Sequence, residues 1–126
     1  MAKISVLGSG SWGMALAFLL HNNGHEVLLW SARPEDARKL REKRENPSRL
    51  PGVVLPDTIE ILTDLERALR DADAAVLAVA SPYIRSTAHN MTPFVREGQK
   101  IVNVAKGIEE KTLKTLSEVI EEEIPQ

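Results

Sequence analysis

The sequence predicts an α/β fold in which a parallel sheet carries helices on both faces. Three observations favour this class. Segments typical of strands alternate with segments typical of helices along the chain. The strand segments 3–8 and 74–80 are almost entirely apolar, as expected for strands that are covered on both faces. A Gly-x-Gly-x-x-Gly motif follows the first strand and opens the first helix. A chain of 126 residues is enough for one such domain.

Five segments are predicted as strands from their short apolar runs rich in Val, Ile and Leu. They are "KISVLG" (3–8), "EVLLW" (26–30), "IEIL" (59–62), "AAVLAVA" (74–80) and "KIVNVA" (100–105). Parallel strands are joined by right-handed crossovers. We therefore expect a doubly wound, Rossmann-like sheet with the order 3-2-1-4-5, in which ligands bind where strands 1 and 4 diverge.

Segments typical of helices lie between these strands. The first helix runs from Ser11 to about Asn22 and ends before Gly24, a residue suited to a left-handed terminus. Pro34 fits the first turn of a second helix, which we expect to reach about Glu45.

Later helices are indicated by their caps. Thr63 and Glu66 match a capping box, which predicts a helix over about 64–71. Ser81 is the predicted cap of a fourth helix, with Pro82 in its first turn, and it falls at the same crevice as the glycine loop. A last amphipathic helix is predicted from about Glu110.

Composition excludes several classes of function. Sixteen basic and eighteen acidic residues leave a net charge of -2, which gives no electrostatic footprint for nucleic acid or anionic lipid. The chain has no cysteine, so cysteine metal sites are excluded and a reducing cytoplasm is the expected location. No apolar run reaches the roughly 18 residues of a membrane span. The three histidines lack the spacing of metal ligands.

The glycine loop predicts a binding site for the diphosphate of a dinucleotide. Gly8 permits the tight turn, Gly10 lets a diphosphate approach the backbone, and Gly13 lets the helix pack closely. Unpaired N–H groups at the helix start then face the phosphates. A methyltransferase-like or purely structural use of the same turn remains the alternative.

The tip of the second strand bears on the choice between NAD and NADP. An NAD site usually has an acid there, to accept hydrogen bonds from the ribose hydroxyl. The tip reads "WSARPED" instead, and Ser31 and Arg33 suit a 2′-phosphate. We expect NADPH to be accepted at least as well as NADH, unless Arg33 is only a solvated charge.

Four segments together resemble the N-terminal cofactor domain of bacterial NAD(P)-dependent glycerol-3-phosphate dehydrogenase. They are "ISVLGSGSWGMALA", "NNGHEVLLWSARPE", "RENPSRLPGVVLP" and "VNVAKGIE". The resemblance implies hydride transfer between dihydroxyacetone phosphate and sn-glycerol 3-phosphate, for glycerophospholipid synthesis. It places Ser11 and Trp12 beside the diphosphate, Arg33 at the adenosine end, and Lys106 at both nicotinamide and substrate. Ala32 departs from the basic residue or histidine common there.

The resemblance also implies a second, helical domain beyond Gln126 that supplies the general-base lysine. We therefore expect residues 1–126 to be a cofactor domain that binds dinucleotide weakly, has no turnover, and self-associates as a possible homodimer through its largely apolar first helix. Two alternatives stay open. One is a stand-alone, non-catalytic dinucleotide-binding or redox-sensing module. The other is a dehydrogenase of hydroxy acids or nucleotide sugars, which Trp12 and the "AKGI" segment disfavour.

Overall fold

A computed structural model describes residues 2–44, 54–70, 72–79, 83–95 and 99–104. Within them, five parallel strands form one sheet in the order β3-β2-β1-β4-β5. The strands are β1 (Lys3–Leu7), β2 (Glu26–Trp30), β3 (Glu60–Leu62), β4 (Ala74–Leu77) and β5 (Lys100–Asn103). The predicted class and strand order are confirmed.

Helices cover both faces of this sheet. They are α1 (Ser11–Asn22), α2 (Pro34–Lys43), α3 (Leu65–Arg70) and α4 (Ile84–Met91), and a 3-10 turn, Thr92–Phe94, follows α4. Side chains alternate along β1, so that Ile4 and Val6 pack in the layer that contains α1 and α2, whereas Leu7 packs with α3 and α4. None of the helices in the described ranges has both the length and the hydrophobicity of a membrane span.

The carboxyl ends of the strands lie level with one another. Leu7 of β1 is paired with Trp30 of β2 and with Leu77 of β4. Trp30 is in turn paired with Leu62 of β3, and Leu77 with Asn103 of β5. Because the strands end at one register, the loops that follow them meet along a single edge of the sheet.

The first two helices end through left-handed residues. Gly24 has the predicted positive φ, of 90°, and its N–H donates to the carbonyl of His21 at 3.1 Å. The second helix ends at Lys43, earlier than predicted, because Arg44 adopts a φ of 57°. The guanidinium of Arg44 donates to the carbonyls of Pro56 and Ile59, which holds this non-glycine residue in place.

The cap predicted for the third helix is wrong by one residue. A carboxylate oxygen of Asp64 accepts the N–H groups of Glu66 at 3.1 Å and of Arg67 at 3.4 Å, so Asp64 is the cap. The carbonyl of Thr63 instead accepts the indole N–H of Trp30 at 3.1 Å. This bond keeps Thr63 with the sheet, and α3 begins one residue later.

The fourth strand is shorter than its apolar run. β4 ends at Leu77, and Ala78 and Val79 leave the strand to pass beside Gly8. Ala78 still donates its N–H to the carbonyl of Leu7 at 2.9 Å, and the side chains of Ala78 and Val79 pack against the core on either face of the sheet, which accounts for their apolar character. The predicted cap Ser81 and the last predicted helix lie outside the described residues.

Candidate functional site

A cleft of about 440 Å³ lies at the carboxyl edge of the sheet. Its floor is formed by the glycine loop after β1 and by the chain just after β4, and the turn from β2 into α2 forms one side. The first two turns of α4 form the other side. The cleft therefore opens at the predicted position, where the strands on either side of β1 lead to opposite faces of the sheet.

Two of the three glycines are required by close packing inside the loop. Gly8 has a φ of 127°, and a Cβ there would lie 2.8 Å from the carbonyl carbon and oxygen of Ala78. A Cβ on Gly13 would lie 1.8 Å from the carbonyl oxygen of Gly8. The absence of side chains at these two residues allows the loop and the start of α1 to pack closely against the end of β4.

Gly10 differs from its two neighbours, because a Cβ there would meet no heavy atom within 4 Å. Gly10 lines the cleft and stands at the N-terminal cap of α1, without a side chain to cap the helix. The first helical bond runs from the N–H of Met14 to the carbonyl of Gly10 at 3.0 Å. The N–H groups of residues 11–13 therefore lack helical acceptors, and the first turn carries no acid. An anion is favoured at this point.

The turn after β2 is held to the glycine loop by a buried hydroxyl. Ser31 is 1% exposed, and its Oγ accepts the hydroxyl of Ser9 at 3.0 Å. The same Oγ accepts the N–H of Arg33 and donates to the carbonyl of Arg33, both at 3.3 Å. One donor and two acceptor sites are all that a serine hydroxyl has. Ser31 therefore joins the two loops, and the contact with a 2′-phosphate expected from the sequence stays a prediction.

The residues predicted for the site occupy different positions around the cleft. Gly8, Gly10 and Arg33 line it, and Gly13 is buried beneath it. Ser11 begins α1, and Trp12 follows it with its side chain 54% exposed. Ser81 and Lys106 lie outside the described residues. Within the described ranges, no group of three or more His, Cys, Asp or Glu side chains could hold a metal ion.

Several residues that line the cleft were not singled out from the sequence. Asp36 belongs to the first turn of α2, Tyr83 is the N-cap residue of α4, and Thr87 and Asn90 lie along α4. The spacing of the latter three, at i, i+4 and i+7, is that of one helical face, and this signal could have found them once the helix was oriented toward the carboxyl edge. The sequence pattern did not indicate Asp36, because the acid of an NAD site is expected at the tip of the second strand and Asp36 lies in the following helix.

Comparison with known families identifies the chain. The family model described as "NAD-dependent glycerol-3-phosphate dehydrogenase N-terminus" matches residues 3–126. The chain belongs to this family. The resemblance drawn from the "SWG" and "AKGI" segments is thereby confirmed.

Individual relatives of the chain agree with the family match. The chain is 53% identical over 125 residues to glycerol-3-phosphate dehydrogenase [NAD(P)+] of Agathobacter rectalis, covering 99% of this chain and 37% of that protein. It is 47% identical over 126 residues to the protein of the same name from Fusobacterium nucleatum, covering 100% and 38%.

A solved structure supports the fold. The crystal structure of glycerol-3-phosphate dehydrogenase from Coxiella burnetii superposes with a TM-score of 0.91 at 29% identity, over 99% of this chain and 38% of that one. The chain thus spans little more than a third of the length of each of these three proteins.

Proposed function

We propose that this chain binds NAD(H) or NADP(H) in the cleft and is the cofactor-binding part of a glycerol-3-phosphate dehydrogenase. The proposed reaction interconverts sn-glycerol 3-phosphate and dihydroxyacetone phosphate in glycerophospholipid synthesis, in the cytoplasm. One observation carries the proposal. The glycine loop combines two glycines fixed by packing with a third, Gly10, whose missing side chain leaves open space in the cleft.

The residues present suit a dinucleotide. A diphosphate at Gly10 would meet the free N–H groups at the start of α1, where the helix dipole favours negative charge. The volume of about 440 Å³ is in the range of ligand pockets. Arg33 lies on the same side of the cleft as the end of β2, where the ribose of the adenosine would lie.

Each group of residues has its own role in this proposal. The bound dinucleotide supplies or accepts the hydride. Gly8 and Gly13 keep the loop against β4, so that the N–H groups after Gly10 stay aimed at the diphosphate. By family resemblance we assign Ser11 and Trp12 to cofactor contacts beside the diphosphate, and Trp12 makes its contact through the backbone N–H, which leaves the indole for other packing. We assign Ser81 to the crevice, and Lys106 to the nicotinamide end and the substrate phosphate or developing alkoxide.

The remaining machinery is proposed to lie outside these residues. The matched relatives are nearly three times as long as the chain, which covers 37% of one and 38% of another. We propose that a second domain provides the general base and most of the contacts to glycerol phosphate. Residues 1–126 then bind the dinucleotide without turning it over, because hydride transfer requires donor and acceptor to be held about 3.5 Å apart in a closed site.

The test separates binding from catalysis. The 126-residue chain is titrated with NADH and with NADPH by calorimetry, and is then incubated with NADPH and dihydroxyacetone phosphate while the absorbance of the reduced cofactor is followed. We expect saturable binding of a dinucleotide and no oxidation of NADPH. Absence of binding would contradict the proposed cofactor site, and steady oxidation would contradict the division between two domains.

Self-association is the proposed consequence of an apolar face on α1. Trp12 and Leu19 are 54% and 55% exposed, and their spacing of seven residues places them on one side of the helix. Leu16, between them, is partly buried. We propose that this face pairs with a second copy of the chain. Sedimentation is expected to show a mass that rises with concentration, and that rise is expected to disappear in Leu19→Glu; a monomer at all concentrations would contradict it.

A further inference from the structure

The carboxylate of Asp36 is a charged group of the cleft that has no role in the proposed binding of the diphosphate. Among the described lining residues, Asp36 is the one acid and Arg33 the one base. Both belong to the turn from β2 into α2, with Arg33 at the N-terminal cap and Asp36 in the first helical turn. Opposite charges therefore stand three residues apart on the side of the cleft assigned to the adenosine.

Neither charge is neutralised by the other parts of the described chain. No ion pair or side-chain hydrogen bond joins the Asp36 carboxylate or the Arg33 guanidinium to another residue in the described ranges. Asp36 is half-buried and next to Ala37, which is fully buried in the core. Its position is therefore fixed by the packing of α2, whereas the exposed Arg33 side chain is free to follow a ligand.

The one polar side chain at the strand tip that could compete for the ribose is already occupied. The hydroxyl of Ser31 uses its donor and both acceptors within the two loops. Arg33 is a donor and has no acceptor. Asp36 carries the one carboxylate among the described lining residues, and a carboxylate is the usual acceptor for a ribose hydroxyl in an NAD site.

We propose that Asp36 is a specificity-determining residue that favours NADH over NADPH. Its carboxylate accepts a hydrogen bond from the 2′-hydroxyl of the adenosine ribose in NADH. The same carboxylate repels the 2′-phosphate of NADPH, which Arg33 attracts. Asp36 therefore favours NADH and Arg33 favours NADPH, so the site accepts both dinucleotides. This inference rests on the proposed function.

The matched variants are Asp36→Asn and Glu35→Gln. Both remove one negative charge from the first turn of α2, but Glu35 is exposed and is not among the residues that line the cleft. Each variant of the full 126-residue chain is titrated with NADH and with NADPH at one fixed salt concentration. Thermal unfolding is measured beside each titration to show that the fold is kept.

We expect Asp36→Asn to shift the ratio of the two dissociation constants about tenfold toward NADPH, the size of one lost charge-assisted hydrogen bond. Glu35→Gln is expected to shift it by less than about twofold, as a solvated charge does. An unchanged ratio in Asp36→Asn, or an equal shift in both variants, would overturn the inference while the proposed function stands. A wild-type chain that binds neither dinucleotide would overturn both.

Discussion

Gly13 and Gly8 touch so closely that a single added carbon on Gly13 would lie 1.8 Å from the carbonyl oxygen of Gly8. This is an approach between the start of α1 and the end of β1, and it brings the first turn of the helix over the carboxyl edge of the sheet. The spacing of the glycines is thus required by close backbone packing as well as by ligand binding. Two glycines build the loop, and the third leaves space for a ligand.

Gly13→Ala is expected to destabilise the fold. The methyl group cannot be accommodated without displacing the backbone of Gly8, and forced overpacking of this kind costs about 3 kcal/mol. Chemical denaturation monitored by circular dichroism measures the loss. Gly10→Ala is the control in the same loop, since its Cβ would meet nothing within 4 Å. Equal stability of the two variants would show that the loop is looser than described.

Asp64 and Thr63 give a direct test of the helix cap. Asp64→Ala removes the acceptor of two backbone N–H groups and is expected to cost about 1 kcal/mol of unfolding free energy. Thr63→Ala is expected to cost less than about 0.5 kcal/mol, because Thr63 takes part through its backbone carbonyl. Urea unfolding of both variants compares them. A larger loss in Thr63→Ala would restore the capping box predicted from the sequence.

Arg33 is expected to favour the phosphorylated cofactor. Arg33→Ala should weaken NADPH binding about tenfold and leave NADH binding within about twofold, because only NADPH offers a 2′-phosphate to the guanidinium. Arg38→Ala is the matched control, since Arg38 is exposed on the same helix and is not among the lining residues. Calorimetric titration of each variant with both cofactors measures these affinities. An unchanged NADPH affinity in Arg33→Ala would rule out a contact between Arg33 and the 2′-phosphate.

The fold could be predicted because its signals are local. Apolar runs, Gly24 and Pro34 each mark a strand or a helix end within a few residues, and right-handed crossovers then leave few strand orders. The predicted and observed ends of elements differ where a residue contacts a part of the chain that is distant in the sequence. The carbonyl of Thr63 accepts the indole N–H of Trp30, and Asp64 caps the third helix in its place. The fourth strand ends at Leu77, where the chain passes close to Gly8.

The candidate site was predicted less completely than the fold. Its glycines were found because the motif is contiguous, and Arg33 because it follows a strand. Asp36 could not be found at the strand tip, since only the direction of α2 brings its first turn to the cleft. The bond between Ser9 and Ser31 could not be predicted, because it joins two loops that are distant in the sequence.

The central claim is that the open space at Gly10 receives the diphosphate of a dinucleotide. The most direct measurement is a calorimetric titration of the chain and of Gly10→Ala with NADH and NADPH, with thermal unfolding of both. The account predicts binding by the wild-type chain, an affinity at least about tenfold lower for both cofactors in Gly10→Ala, and unfolding temperatures within about 2 °C of each other. Equal affinities in the two proteins would contradict it.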